Sequence, residues 1–135
     1  LKGGGEPGEV RFAKKLGSLL EWHRFGTGEF IINRRPTDKE VALAREGLAL
    51  AERVFLDNTG DVLILDEISH AINLGLVKTA DVLSLIDKKP KRVELVMTGR
   101  DFPQEILNRA DLVSEVRMIR HPYNDGIPAR QGIDY

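Results

Sequence analysis

An α/β fold, with a mostly parallel open sheet flanked by helices, is predicted by two apolar runs of strand length and the helical sequence between them. The first run is Val62-Leu63-Ile64-Leu65, entered from Asn58-Thr59-Gly60 and leaving into Asp66-Glu67. The second is Val93-Glu94-Leu95-Val96-Met97, leaving into Thr98-Gly99-Arg100. A continuous apolar run bounded by turn residues is the pattern of a strand buried in a parallel sheet. The intervening chain is long enough for the crossover that parallel neighbours require.

The elements follow in order. Residues 1–9 are glycine-rich and polar and read as a loop. Val10, Ala13, Leu16, Leu19 and Leu20 have helical spacing, interrupted by Gly17. Glu21-Trp22-His23-Arg24-Phe25 alternates polar and aromatic residues and suggests a short strand, ended by Gly26-Thr27-Gly28. After the breaker Arg34-Arg35-Pro36, Thr37 and Glu40 form a capping box. The helix it opens should run to about Asp57. Val41, Ala44, Leu48, Ala51 and Phe55 form its apolar face, broadened by Leu43, Leu50 and Val54.

The first apolar strand comes next, then a helical stretch from Ile68 to Leu76. Thr79 is expected to cap a further helix with Val82, Leu83, Leu85 and Ile86 as its apolar positions, stopped by Lys88-Lys89-Pro90. Pro103 suits the first turn of a short helix through Arg109. Asp111 to Met118 reads as a last strand, and the tail from Arg120 has no periodicity.

The 135 residues suit one domain, taken as 1–135, with chain enough for a core. Twenty basic and 21 acidic residues leave a net charge of −1, which argues against a general nucleic-acid surface. No cysteine is present, so disulfides, a thiol nucleophile and cysteine metal sites are excluded. The absence of cysteine fits a reducing cytoplasm, and no apolar run reaches membrane-spanning length. No signal peptide is visible. The start, Leu1-Lys2-Gly3-Gly4-Gly5, reads as the interior of a longer protein.

Asp66 and Glu67 carry the sharpest chemical signal. Carboxylates at the carboxyl end of a parallel strand sit where open α/β sheets bind ligands. Hard cations prefer carboxylate oxygens, and a magnesium ion needs only one or two of them beside phosphate and water. The plainer alternative is a helix N-terminus, with Asp66 as its cap and Glu67 favoured by the helix dipole. Arg100 ends the second strand on the same edge and could reach a phosphate; alternatively it pairs with Asp101 or Glu105. Trp22, Phe25 and Phe30 surround a glycine turn, as an aromatic wall for a planar ligand or as ordinary packing. His23, His70 and His121 have no metal-ligand spacing. No Ser-His-Asp signature argues for hydrolysis. A G-x-x-x-x-G-K-[ST] phosphate loop is lacking in these residues, so they contain one half of an ATP site without the other.

The ordered set Leu65-Asp66-Glu67, Thr98-Gly99-Arg100, Ile106-Leu107, Ala110-Asp111, Ser114-Glu115, His121 and Gly132-Ile133-Asp134-Tyr135 resembles the P-loop type of ATP:corrinoid (cob(I)alamin or cob(I)yrinic acid a,c-diamide) adenosyltransferase. The resemblance covers essentially the whole chain. It implies a P-loop nucleotide-binding, RecA-like sheet whose first strand and phosphate loop lie upstream of Leu1. It also implies transfer of the 5′-deoxyadenosyl group of ATP to a corrinoid cobalt reduced to Co(I), with triphosphate leaving, in cobalamin biosynthesis or salvage.

By the same resemblance Glu67 is a ligand of Mg2+ or Mn2+ and Asp66 supports the metal's water shell. Phe30 and Ile32 fall by it to the corrinoid, and Trp22, Arg100 and Lys2 complete the candidate set for binding ATP or corrinoid. The family often carries a Gly-Phe-Thr-Trp stretch whose aromatics displace the corrinoid's lower axial ligand. Here the sequence is Gly28-Glu29-Phe30-Ile31-Ile32, so the phenylalanine is matched and the tryptophan becomes Ile32. A cytoplasmic homodimer is implied, one subunit's N-terminal segment covering the other's site, with a flavoprotein-type reductant. The competing class is an ATPase-like nucleotide-binding module or a corrinoid-binding protein without catalysis.

Overall fold

A computed structural model describes residues 8–29 and 31–130. They group into two compact units: Arg24–Val113, and the described residues up to His23 together with those from Ser114 onward.

The Arg24–Val113 unit holds the sheet. Its longest helix, α2 (Asp38–Asp57), starts with the predicted capping box. The Glu40 amide donates to the Thr37 hydroxyl at 3.3 Å, and the Thr37 amide donates to the Glu40 carboxylate at 2.8 Å. Asn58, in the left-handed region, closes the far end with its amide on the Val54 carbonyl. Strand β1 (Val62–Leu65) follows, then α3 (Ile68–Asn73) and α4 (Thr79–Asp87). Strand β2 (Glu94–Met97) and the short α5 (Gln104–Leu107) complete the unit.

β1 and β2 pair in parallel, with Val62 opposite Glu94 and Leu65 opposite Met97. Side chains alternate across the pleat. Leu63, Leu65 and Leu95 face a core of Ala51, Phe55, Leu85 and Val93. Met97 belongs to a second cluster around Val77, Val82 and Ile106, which also takes in Ile68, Ala71 and Ile72 of α3. On the other face of the sheet Val62, Ile64 and Val96 are exposed. All five positions assigned to the main apolar face of α2 are buried or half-buried, as the spacing of three and four requires.

Several expectations need correction. Residues 21–25 form no strand: the backbone is irregular, and Phe25 instead lies against Gly47 of α2. Residues 111–118 form no strand either, with Leu112, Val116 and Met118 exposed. Both stretches alternate correctly, but alternation alone makes no strand: the backbone groups need a ladder partner, and none of the described residues supplies one. Lys78, not Thr79, is the N-cap of α4, its amide donating to the Asp81 carboxylate at 3.3 Å. The helix after β1 ends at Asn73, three residues short of the expected Leu76. Pro103 is the N-cap of α5, which ends at Leu107.

In the other unit, α1 (Gly8–Leu16) gives way to a turn of 3-10 helix at Gly17–Leu19, where the sequence has its interrupting glycine. Ala13 is buried there. A second 3-10 turn spans Pro122–Asp125; the His121 Nδ1 caps it, accepting the Tyr123 amide at 3.1 Å.

Phe55 is 4% exposed and joins α2 to the sheet and α4. Phe55→Ala is expected to lower unfolding free energy by about 3–5 kcal/mol, the cost of deleting a buried aromatic ring and leaving a cavity. Urea denaturation followed by far-UV circular dichroism measures it; a loss below about 1 kcal/mol would show that the ring is not a core element.

Candidate functional site

The parallel pairing brings the ends of β1 and β2 to one edge. The ladder runs one step past the strands, the Thr98 amide donating to the Leu65 carbonyl at 3.1 Å. Thr98 therefore lies beside Asp66 and Glu67. Its hydroxyl donates to Asp66 Oδ1 at 2.6 Å and accepts the Glu67 amide at 2.9 Å. Glu67 is the N-cap of α3, in the left-handed region at φ 57°, ψ 27°, and its side chain caps nothing. Asp66 is thus not the cap that the plainer reading of the sequence supposed.

α3 is fastened to the loop after β2 at two further points. Gly99 has φ +138°, and a Cβ built on it would stand 1.9 Å from the Ser69 hydroxyl oxygen, so any side chain there forces the two elements apart. Ser69 is fully buried and its hydroxyl has no hydrogen-bond partner. The Asn73 side-chain amide donates to the carbonyls of Arg100 and Asp101, both at 3.2 Å.

Arg100 is exposed on this edge. Among the described residues it forms no ion pair, so the expected alternative partners Asp101 and Glu105 do not hold it. The Glu67 carboxylate is likewise exposed and has no hydrogen-bonding or ionic partner among the described residues.

This donor set suits a magnesium-sized ion that keeps waters and takes phosphate oxygens. One free carboxylate stands beside a second whose Oδ1 is already used. No group of three His, Cys, Asp or Glu side chains able to hold a metal occurs among the described residues. An ion at Glu67 would therefore need oxygens from a bound nucleotide to complete its shell.

A second feature is the loop before α2. Glu40 is 5% exposed and accepts both Arg34 guanidinium nitrogens, at 2.8 and 2.7 Å. It also accepts the Thr37 hydroxyl at 2.9 Å, and the Thr27 hydroxyl lies 3.5 Å away. At the other end of the loop, the Phe25 ring occupies the space where a Cβ on Gly47 would sit, 2.9 Å from Phe25 Cδ2. Phe25 and Arg34 are thus each tied to α2. Between the ties Asn33 has φ 53° and Ile32 is 68% exposed.

Of the aromatic candidates, Trp22 is exposed and belongs to the other unit, and Phe30 lies outside the described residues, as does Lys2. An open groove of about 430 Å³ between α2 and α4, lined by Arg45, Glu52, Lys78 and Lys88 among others, shares no residue with the Asp66–Arg100 edge.

The family model for ATP:corrinoid adenosyltransferase BtuR/CobO/CobP matches residues 1–135. The chain belongs to this family. Curated relatives named corrinoid adenosyltransferase include those of a Sinorhizobium species and Escherichia coli K12, each 29% identical over the whole chain. That of Pseudomonas aeruginosa is 26% identical, again over the whole chain. The chain spans 64%, 67% and 66% of their respective lengths. No helix of the described residues is long and apolar enough to cross a membrane.

The sequence placed Asp66, Glu67 and Arg100 on one sheet edge, as the parallel pairing does, but gave no direct sign of how Thr98 joins the first two. Aligning the two strand ends, Leu65 with Met97, would have put Thr98 opposite Asp66. It also took Glu40 only as a helix cap, although the flanking Arg34 was a visible partner for it.

Glu40 yields a pH prediction. Its carboxyl is held well below the ordinary 4.5 by the Arg34 hydrogen bonds first and the Thr37 amide second, against the opposing effect of burial. A carboxyl whose folded pKa lies below its unfolded value contributes stability above the unfolded value, and that contribution fades as pH falls toward the folded one. The stability advantage of wild type over Glu40→Gln should therefore be constant above pH 4.5 and shrink below it. Denaturant titrations of both proteins down the acid range check this. An advantage that stays level below that pH would mean the Glu40 charge does not hold the loop.

Proposed function

We propose that this protein transfers the 5′-deoxyadenosyl group of ATP to the Co(I) centre of a corrinoid, releasing triphosphate. The observation that carries this reading is the agreement of family and geometry. A chain matched by the corrinoid adenosyltransferase family over residues 1–135 presents a carboxylate, Glu67, and a guanidinium, Arg100, both unpaired among the described residues, at one edge of its parallel sheet. Such a reaction asks little covalent chemistry of the protein. The substrate cobalt supplies the electron pair, a Co–C bond forms at the ribose C5′, and the C5′–O bond to triphosphate breaks.

The protein's part is to hold C5′ in line and to stabilise the leaving group. In this reading Glu67 holds Mg2+ or Mn2+, with Asp66 supporting its waters, and Arg100 faces the phosphates. The bound cation would offset the charge gathering on the departing triphosphate. Lys2 is assigned to the nucleotide. Phe30 and Ile32 are assigned to the corrinoid, where apolar side chains exclude water and the lower axial base. The exposure of Ile32, between Phe25 and Arg34 that are each tied to α2, supports that role. Homodimer formation, a flavoprotein-type reductant, cytoplasmic location and a place in cobalamin synthesis or salvage complete the proposal.

Glu67→Gln is expected to lower adenosyl transfer by about a hundredfold or more with the fold intact, since metal stabilisation of a leaving group is worth several kcal/mol. Formation of the Co–C product from ATP and chemically reduced corrinoid measures it. Wild-type rates with unchanged magnesium dependence would remove Glu67 from the site. Binding of ATP and corrinoid by the wild type without product would leave a binding module instead of an enzyme.

Phe30→Ala tests the corrinoid side. Burying a phenylalanine is worth about 1.5–3 kcal/mol, enough to bias a weak axial bond. The variant, mixed with ATP and cob(II)alamin, should give less four-coordinate cobalt(II) signal than wild type. An equal signal would reduce Phe30 to a packing residue.

A further inference from the structure

We infer that Thr98 is the positioning residue of the Asp66–Glu67 pair, holding both carboxylate-bearing residues in register with Arg100; the inference rests on the metal assignment proposed above. One hydroxyl performs both functions a hydroxyl has. Its proton goes to Asp66 Oδ1 at 2.6 Å, and its lone pair takes the Glu67 amide proton at 2.9 Å. The two contacts have different consequences.

The first commits one oxygen of Asp66 and fixes its carboxylate plane. Only Oδ2 of Asp66 is then outside that bond, which suits an acceptor for a metal-bound water better than a chelating ligand. The second engages a backbone amide at the one point where β1 turns into α3. Glu67 stands there in a left-handed conformation that glutamate adopts at a cost. An amide held across the strand gap keeps the residue in that conformation, and with it the direction in which the Glu67 side chain leaves the backbone.

Thr98 also lies two residues before Arg100 on the same backbone, itself held to α3 by Gly99 against Ser69 and by Asn73. One side chain therefore links the anionic and cationic halves of the edge. Neither Asp66 nor Glu67 is buried, so the link contributes little to global stability. Its effect lies in orientation.

The test compares Thr98→Val, Thr98→Ser and Glu67→Gln in the full-length protein. Valine keeps the β-branched shape and loses both hydrogen bonds; serine keeps the hydroxyl. The probe is Mn2+ binding to the protein saturated with a non-reactive ATP analogue, read from the free-ion paramagnetic resonance signal. Loss of a partner that orients a ligand typically weakens metal affinity 10- to 100-fold. Thr98→Val should weaken Mn2+ binding about tenfold or more, with Thr98→Ser within about twofold of wild type and Glu67→Gln weaker than either.

Wild-type Mn2+ affinity in Thr98→Val, with Glu67→Gln impaired, would overturn the positioning role and leave the metal reading standing. Wild-type affinity in Glu67→Gln would overturn the metal reading and this inference with it. Equal losses in Thr98→Val and Thr98→Ser would show that shape, not the hydroxyl, matters, and would also overturn it. Should Thr98→Val fail to fold, Thr98→Ala is held to the same expectation.

Discussion

The parallel register of β1 against β2 governs the charged edge of the Arg24–Val113 unit. Four residue pairs, from Val62–Glu94 to Leu65–Met97, bring both carboxyl ends to the same side. The Thr98 amide then bonds the Leu65 carbonyl, so the pairing continues until side chains take over from backbone. A slip of one residue would turn Leu63 and Leu65 away from Phe55 and Leu85 toward the exposed face. It would equally carry Thr98 away from Asp66. The apolar burial beneath the sheet, far from any ligand, is therefore what fixes the distances between charged groups above its end.

α2 connects that sheet to the loop bearing Ile32. Near its first turn Glu40 gathers Arg34 and Thr37, midway Gly47 receives Phe25, and toward its end Ala51 and Phe55 pack on the strands. From Glu40 to Phe55 is roughly 22 Å along a helix rising 1.5 Å per residue. Phe25 and Arg34 are thus held against the same helix that packs on the strands. Glu40 is well suited to the task because its carboxylate is satisfied on every side. The capping amide, the hydroxyl and the guanidinium together offset the cost of burying its charge. An apolar residue at position 40 would cap nothing and leave Arg34 without its partner.

What could be read from the residues was whatever depends on local periodicity or on a run's composition. The apolar face of α2, its capping box and both strands of the sheet have that character, and so do Asp66, Glu67 and Arg100 as chemistry-bearing ends of strands. Residues 21–25 and 111–118 have strand-like alternation yet form none, since a strand is a property of two segments and the partner is not written in either one. Thr98 shows the same limit at the site. Its role depends on which residue of another strand it faces, and register emerges only when two runs are aligned. The contact of Gly99 with Ser69 is likewise a matter of three-dimensional approach between residues thirty positions apart.

Glu67 departs from local rules on two counts. Four non-glycine residues among those described have positive φ: Asn33, Asn58, Glu67 and Asp101. Asparagine and aspartate tolerate that region because their short polar side chains bond locally, whereas a longer side chain costs roughly 1–2 kcal/mol there. Glu67 also occupies an N-cap, where serine, threonine, aspartate or asparagine would accept an amide of the next turn, and it accepts none. An asparagine at this position would satisfy both the backbone and the cap. Glutamate satisfies neither, and what it adds is reach: a carboxylate one methylene farther from the backbone, exposed and, among the described residues, unpaired at the edge that Arg100 shares. Glu67 is thus unfavourable by two independent local criteria, and backbone strain of this kind clusters at functional sites. The carboxylate itself is the feature that asparagine could not replace, in keeping with the cation site proposed at Glu67.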